Sequence, residues 1–195
     1  MGASFDLNHA KLAAHPHFAE LAKKLNALSP IDSPASFNHY AHEACRLWKT
    51  QFSNGIGKTK EFDQLVAEVE SGGPNIIPTG WGGVVITFHE HPRVEKYLVV
   101  RAGGYLALEK HEQKDERLEV REGAGLIWWR QPNDHSLTVE FLRPGDHFHF
   151  TPGIEHCLIG TEDLLVFERS TDPKGMDQDL IFIFEPDEIT ASETT

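Results

Sequence analysis

The chain has 195 residues, 39% hydrophobic, with 18 Lys+Arg against 30 Asp+Glu and a formal charge of −12. That length fits one domain with room for an appended segment, and the charge argues against nucleic acid or an anionic membrane as partner. No apolar run approaches the roughly 20 residues that span a bilayer, and the start, Met1 to Phe18, lacks the basic end and apolar core of a signal peptide, so the expectation is a cytoplasmic protein.

The first 75 or so residues read as helical. Leu12, Phe18, Leu21, Leu25 and Leu28 recur at helical spacing and predict a helix over 9–28, broken by the Pro- and Ser-rich stretch 29–34. Ser36 is a plausible cap for a second helix reaching about Phe52, and a third covers roughly 60–69 before Ser71-Gly72-Gly73-Pro74. After Gly82 short runs of Val, Ile, Phe and Trp alternate with Gly, Pro, Asp and Asn. Strands are expected at about 83–89, 94–100, 104–111, 116–121, 124–130, 137–142, 146–150, 156–160, 163–169 and 179–185. Short strands so closely spaced suggest a sandwich or barrel. The expected organisation is a helical segment 1–78, a β-barrel 79–187 and a polar tail 188–195.

Cys45 and Cys157 make no disulfide framework and no C-x-x-C. The 12 His in so acidic a chain need explaining, since His is the commonest metal ligand. Period-two alternation puts Tyr105, Ala107, Glu109 and His111 on one strand face and Leu106, Leu108 and Lys110 on the other. A turn near Gln113 to Asp115 brings Glu116 back on the neighbouring strand. Charges converging inside a sheet are costly unless paired or bound to a metal. His156 follows a tight turn at Thr151-Pro152-Gly153, a rigid place for a ligand. Leu106 and Leu108, facing away from the pocket, need cover from the helices or a second subunit, and a homodimer is expected.

These two stretches resemble the cupin family, whose motifs read G-x5-H-x-H-x3–4-E-x6-G and PG-x5-P-x-G-x2-H. Glu109 stands at the first His, His111 at the second, Glu116 at the Glu and Gly123 at the closing Gly. Pro144-Gly145, Gly153 and His156 keep the second spacing, with Pro152 one place late. More narrowly, the chain is similar to cupin-type mannose-6-phosphate isomerases through Trp81-Gly82, Lys96, Leu106 to Glu109, His111, Lys114, Glu116 and Val120. It also resembles D-lyxose isomerases at His111, Lys114 and Glu116. Glu109 replaces a Gln or His, and Phe182 stands where the phosphomannose enzymes carry Arg.

The resemblance implies a mostly β fold, a cupin double-stranded β-helix (jelly-roll barrel), with an N-terminal α-helical extension. It implies a divalent metal ion (Mn, Zn, Co or Fe) held by Glu109, His111, Glu116 and His156. It implies aldose–ketose isomerisation of a small sugar, non-phosphorylated given Phe182 and the acidic charge, with Lys114 and Glu168 as candidates for proton transfer or charge stabilisation. Lys96 reads better as a strand-edge lysine, and one ring of Trp128-Trp129 could line the pocket, although packing is favoured. Two alternatives stay open. His111, Glu116 and His156 alone suit a non-haem Fe(II) dioxygenase, and a non-catalytic sugar- or metabolite-binding module fits the same barrel. Glu109 separates the first two: as a fourth ligand it leaves fewer positions for O₂.

Overall fold

A computed structural model describes residues 4–57 and 59–187; the polar tail expected at 188–195 lies outside them. The first expected helix is two, α1 (Ala10–Ala13) and α2 (Ala19–Asn26). Pro16 divides them, because its ring clashes with the carbonyl one turn back and it has no N–H to donate. Helix α3 (Pro34–Gln51) starts earlier than expected. Its cap is Ser33, Pro34 fills the first turn, and Ser36 is the third helical residue. Ser33 Oγ accepts from Ser36 N at 3.3 Å and Ser36 Oγ accepts from Ser33 N at 3.0 Å, a reciprocal capping box. Helix α4 (Glu61–Ser71) is capped from a distance. The Glu122 carboxylate accepts from the backbone N–H groups of Lys60, Glu61 and Phe62 at 2.6, 2.9 and 3.1 Å.

Every expected strand forms: β3 (Gly82–Glu90), β4 (Arg93–Val100), β5 (Leu108–His111), β6 (Asp115–Gly123), β7 (Gly125–Arg130), β8 (Ser136–Leu142), β9 (His147–Phe150), β10 (Glu155–Ile159), β11 (Leu164–Thr171) and β12 (Leu180–Phe184). Two more were not expected. Strand β1 (Asp6–Asn8) pairs in parallel with β8, and β2 (Ile76–Thr79) lies along β3. Pro78 hides β2 from a sequence reading, and it is tolerated because β2 is an edge strand.

The strands form two six-stranded sheets, ordered β1-β8-β7-β10-β5-β12 and β2-β3-β4-β11-β6-β9. They face each other as a double-stranded β-helix. Ile127, Leu142 and Leu158 of the first meet Leu98, Leu118, Leu164 and Val166 of the second in one buried cluster. Outside the first sheet, Phe18, Leu21, Leu25, Phe37, Tyr40 and Trp48 of the helical segment bury Leu108, Leu126, Trp128 and Val139. The helices therefore supply the cover that Leu108 needs, and that face no longer argues for a second subunit. Outside the second sheet, α4 packs Phe62, Leu65 and Val69 on Val85, Val99 and Leu165.

One alternation fails. Regular strand begins only at Leu108, so residues 104–107 do not hold period two. Leu106 turns into the barrel core, and the Tyr105 hydroxyl reaches out to Asn38 on α3 at 2.6 Å. Gly104 sets this kink: a Cβ there would lie 2.7 Å from Trp81 O and 2.9 Å from Arg101 O. The tryptophans do take opposite faces. Trp128 packs edge-on to Tyr40 beneath the helices, and Trp129 packs against the barrel core with its indole N–H on Glu140 at 2.6 Å. Among the described residues, no helix is long and apolar enough to cross a membrane.

Candidate metal centre

The chemistry gathers at one end of a cavity of about 760 Å³ between the sheets. His111 and Glu109 come from β5, Glu116 from β6 and His156 from β10, where His156 pairs across from Glu109. One ligand atom from each of Glu109, His111 and His156 lies within 4.8 Å of the others. Glu116 stands beside this group of three, with Oε1 2.8 Å from His156 Nε2 and Oε2 3.9 Å from His111 Nε2.

Outer partners turn both imidazoles the same way. His111 Nδ1 donates to Asp179 Oδ1 at 2.9 Å, and His156 Nδ1 donates to the Ile154 carbonyl at 3.2 Å. Each Nε2 is thereby left to face the other ligand atoms, the usual arrangement behind a metal-bound imidazole. Asp179 Oδ2 also accepts from the backbone N–H groups of Gln113 and Lys114 at 2.6 and 2.9 Å, which ties the β5–β6 turn to the start of β12.

Lys114 is buried, not a solvated turn lysine. Its Nζ lies 2.7 Å from each of Glu116 Oε2, Glu168 Oε1 and Asp177 Oδ1. Glu168 is equally buried, and Lys96, expected at a strand edge, is buried beside it. Lys96 Nζ is 3.4 Å from Glu168 Oε2 and 2.5 Å from Asp177 Oδ2. The inward phase of Lys96 follows from its neighbours Val94 and Leu98, both buried on the same face of β4. Asp177, which the sequence reading missed, sits with Met176 in a left-handed turn at φ of 61° and 47°. Asp172 braces that turn by accepting from Gly175 N and Asp177 N.

The electrostatics are those of a site short of positive charge. Five carboxylates (Glu109, Glu116, Glu168, Asp177 and Asp179) stand beside two ammonium groups and two imidazoles, and the lysines pair with Glu116, Glu168 and Asp177 alone. Burial works against the ionised forms of Glu116 and Asp177, but the lysines outweigh it. Lys114 and then His156 hold Glu116 well below the usual carboxylate range, and Lys96 and then Lys114 do the same for Asp177. Lys114 stays well above the usual lysine range, because Glu168, Glu116 and Asp177 overcome its desolvation. Burial pushes Glu109 up to about 7, with His156 opposing and Glu116 adding to the rise. Burial pulls His156 down, but Glu116 outweighs it and leaves the imidazole raised.

These residues fit a divalent cation. Glu116 Oε1 and His156 Nε2 meet at 2.8 Å inside the cavity, beside the converging donor atoms of Glu109, His111 and His156. Two imidazole nitrogens and two carboxylates are a donor set for Mn, Fe, Co or catalytic Zn. His147 and His149 are exposed on β9, away from this centre, with His149 on Asp115 at 2.9 Å. Cys157 points to the opposite face from His156, into the helix-covered core.

Neither a protein-family model nor a curated protein sequence matches the chain. Solved structures do. CapF bound to the inhibitor 3-isopropenyl-tropolone matches with a TM-score of 0.50 at 16% identity, over 56% of this chain and 34% of CapF. The chain therefore spans about a third of the length of CapF. An uncharacterised Klebsiella pneumoniae protein with a double-stranded β-helix domain matches with a TM-score of 0.43 at 16% identity, over 64% of this chain and 96% of that one. KdgF from Halomonas matches with a TM-score of 0.40 at 20% identity, over 51% and 82%. At these identities the likeness is one of fold. Fold and site together define a double-stranded β-helix barrel with a candidate metal centre in its interior.

Proposed function

We propose that the protein is a metal-dependent isomerase that interconverts an aldehyde and a ketone across a neighbouring hydroxyl, with a small neutral sugar of the lyxose or mannose kind as the expected substrate. The observation that carries this reading is Glu109. Its carboxylate meets the same point as His111 and His156, and Glu116, 2.8 Å from His156, would be the fourth donor. With both carboxylates bound, the ion would have fewer positions for O₂ than a two-His, one-carboxylate triad leaves, which favours isomerisation over a dioxygenase. Neutrality of the substrate is supported by the surplus of carboxylates and by Phe182 at the cavity wall in place of a cation.

Glu109, His111, Glu116 and His156 would hold the ion, which when bound supplies Lewis-acid polarisation of a carbonyl. Lys114 is ion-paired with Glu116, Glu168 and Asp177 at 2.7 Å each, so its role is to stabilise charge and to fix Glu116. Glu168 lines the cavity, with Oε1 2.7 Å from Lys114 Nζ and Oε2 3.4 Å from Lys96 Nζ. It takes the proton from the hydroxyl-bearing carbon and returns it to the neighbouring one, while the hydroxyl proton passes to the former carbonyl oxygen. The barrel walls exclude bulk water from the intermediate.

The test is anaerobic incubation of a sugar panel in D₂O with added Mn, Co, Zn or Fe. Isomer formation with deuterium at the exchanging carbon is expected. Glu168→Gln should lower exchange by at least 100-fold while retaining the metal. Turnover that requires O₂ and iron would replace this reading with the dioxygenase. Thermal stabilisation by a sugar without exchange would replace it with a binding module.

A further inference from the structure

The same cavity has a second half that a fully hydroxylated sugar leaves unused. On three strands the cavity-lining residue two places beyond the polar one is leucine: Lys96 and Leu98 on β4, Glu116 and Leu118 on β6, His156 and Leu158 on β10. On β11 the same step, in the opposite chain direction, leads from Glu168 to the buried Val166. Two residues of strand span about 7 Å. The interior is therefore a polar tier beside an apolar tier, with Trp81, Val84 and Leu106 completing the apolar walls.

Every polar group of the first tier converges on the metal centre or on the two lysines. The lining's other hydrogen-bonding groups, the Thr79 hydroxyl and the exposed carboxylates of Glu185 and Asp187, belong to β2 and to the segment after β12, and the leucine and valine walls between them offer none. Tyr105, which also lines the cavity, spends its hydroxyl on Asn38. The cavity reaches both edge strands, β2 and β12, where Ile77 and Phe182 remain 42% and 52% exposed. Burying hydroxyls against such walls without partners is unfavourable, whereas burying an apolar group there is favourable.

We infer that the substrate is a neutral α-hydroxy-carbonyl compound that carries an apolar substituent in place of the hydroxylated tail of the sugar proposed above, and that Phe182 at the cavity's edge helps select that substituent. The headgroup end of this inference rests on the metal-dependent reading above; the apolar end rests on the tier alone. At about 760 Å³ the cavity has room for a two-oxygen headgroup and an aryl or branched alkyl group together.

Calorimetric titration of the full chain, with and without bound Mn²⁺, compares two probes that share a headgroup: α-hydroxyacetophenone and dihydroxyacetone. The expected result is at least tenfold tighter binding of the aryl compound, in the metal-loaded protein, with the ratio falling at least fivefold in Phe182→Asp. Phe182 is exposed, so that variant is expected to fold, and circular dichroism checks it. Equal affinities, or tighter binding of dihydroxyacetone, overturn the inference and leave the metal reading standing. A tenfold preference that is unchanged without metal supports the apolar subsite and removes the metal from the reading. No binding of either probe overturns both, and a ratio insensitive to Phe182→Asp removes Phe182 as the selecting residue.

Discussion

Asp179 shows how much one side chain outside the ligand set controls. It holds the His111 ring and two backbone N–H groups of the β5–β6 turn at once. Burial would raise its carboxyl, but the hydrogen bonds from His111, Gln113 and Lys114 lower it, so it accepts as an anion. Asp179→Asn keeps the shape and loses the charge and one acceptor. Metal affinity, measured by competition with a chromogenic chelator, should fall about 10- to 100-fold; an unchanged affinity would remove Asp179 from the account. The candidate ligands were legible in the sequence because their spacing is local: Glu109, His111 and Glu116 lie within one hairpin, and His156 follows a glycine turn. Asp177 and Asp179 were not, because their partners lie 63 to 81 residues away along the chain for Lys114 and Lys96 and 68 away for His111, and no local pattern encodes that. Lys96 was legible and misjudged. Its phase with Val94 and Leu98 placed it inside, but lysine is so seldom buried that composition outweighed pattern.

At the scale of elements, strands read well because apolar runs and turn residues mark them, and errors fall where a local rule is broken for a tertiary reason. Strand β1 has 3 residues, too few for any periodicity, and exists because β8 offers it an edge. The kink at 104–107 breaks alternation because Gly104 passes close to Trp81 and Arg101. Helix α3 illustrates the opposite case, a boundary set by side chains in sequence. With Ser33, Pro34 and Ser36 all available, the capping box wins at Ser33 because Pro34 is preorganised for the first helical position. Ser33→Ala should cost about 1 kcal/mol in chemical denaturation. The effect on the whole fold is expected because α3 carries Phe37, Tyr40 and Trp48 into the core shared with the first sheet. A variant as stable as the parent would mean that Pro34 and the packing alone fix the helix start.

For the molecule as a whole, the buried charge surplus ties stability to pH and to metal together. Glu109 keeps its proton in the metal-free fold up to about 7, against 4.5 for the free side chain. Between those values the folded chain binds a proton that the unfolded chain has released, so stability falls as pH rises through the window. His156 acts in the same direction: its raised imidazole contributes stability that is present below 6.5 and lost as pH climbs past its folded value. His9, lowered mainly by burial, has the opposite sign, but its contribution is complete once the pH exceeds 6.5. From pH 6.5 to 8 the site groups alone therefore set the slope. Metal-free protein should lose on the order of 1 kcal/mol of stability across that range, since each pKa unit corresponds to about 1.4 kcal/mol. A divalent ion bound there would displace these protons and supply the missing positive charge, so the gain in Tm on adding Mn²⁺ or Zn²⁺ should be larger at pH 8 than at pH 6.5. Differential scanning calorimetry of chelator-treated and reloaded protein at both values reads this directly. A metal-induced shift that is equal at the two pH values would mean that Glu109 and His156 do not give up protons to the ion, and would remove them from the ligand set.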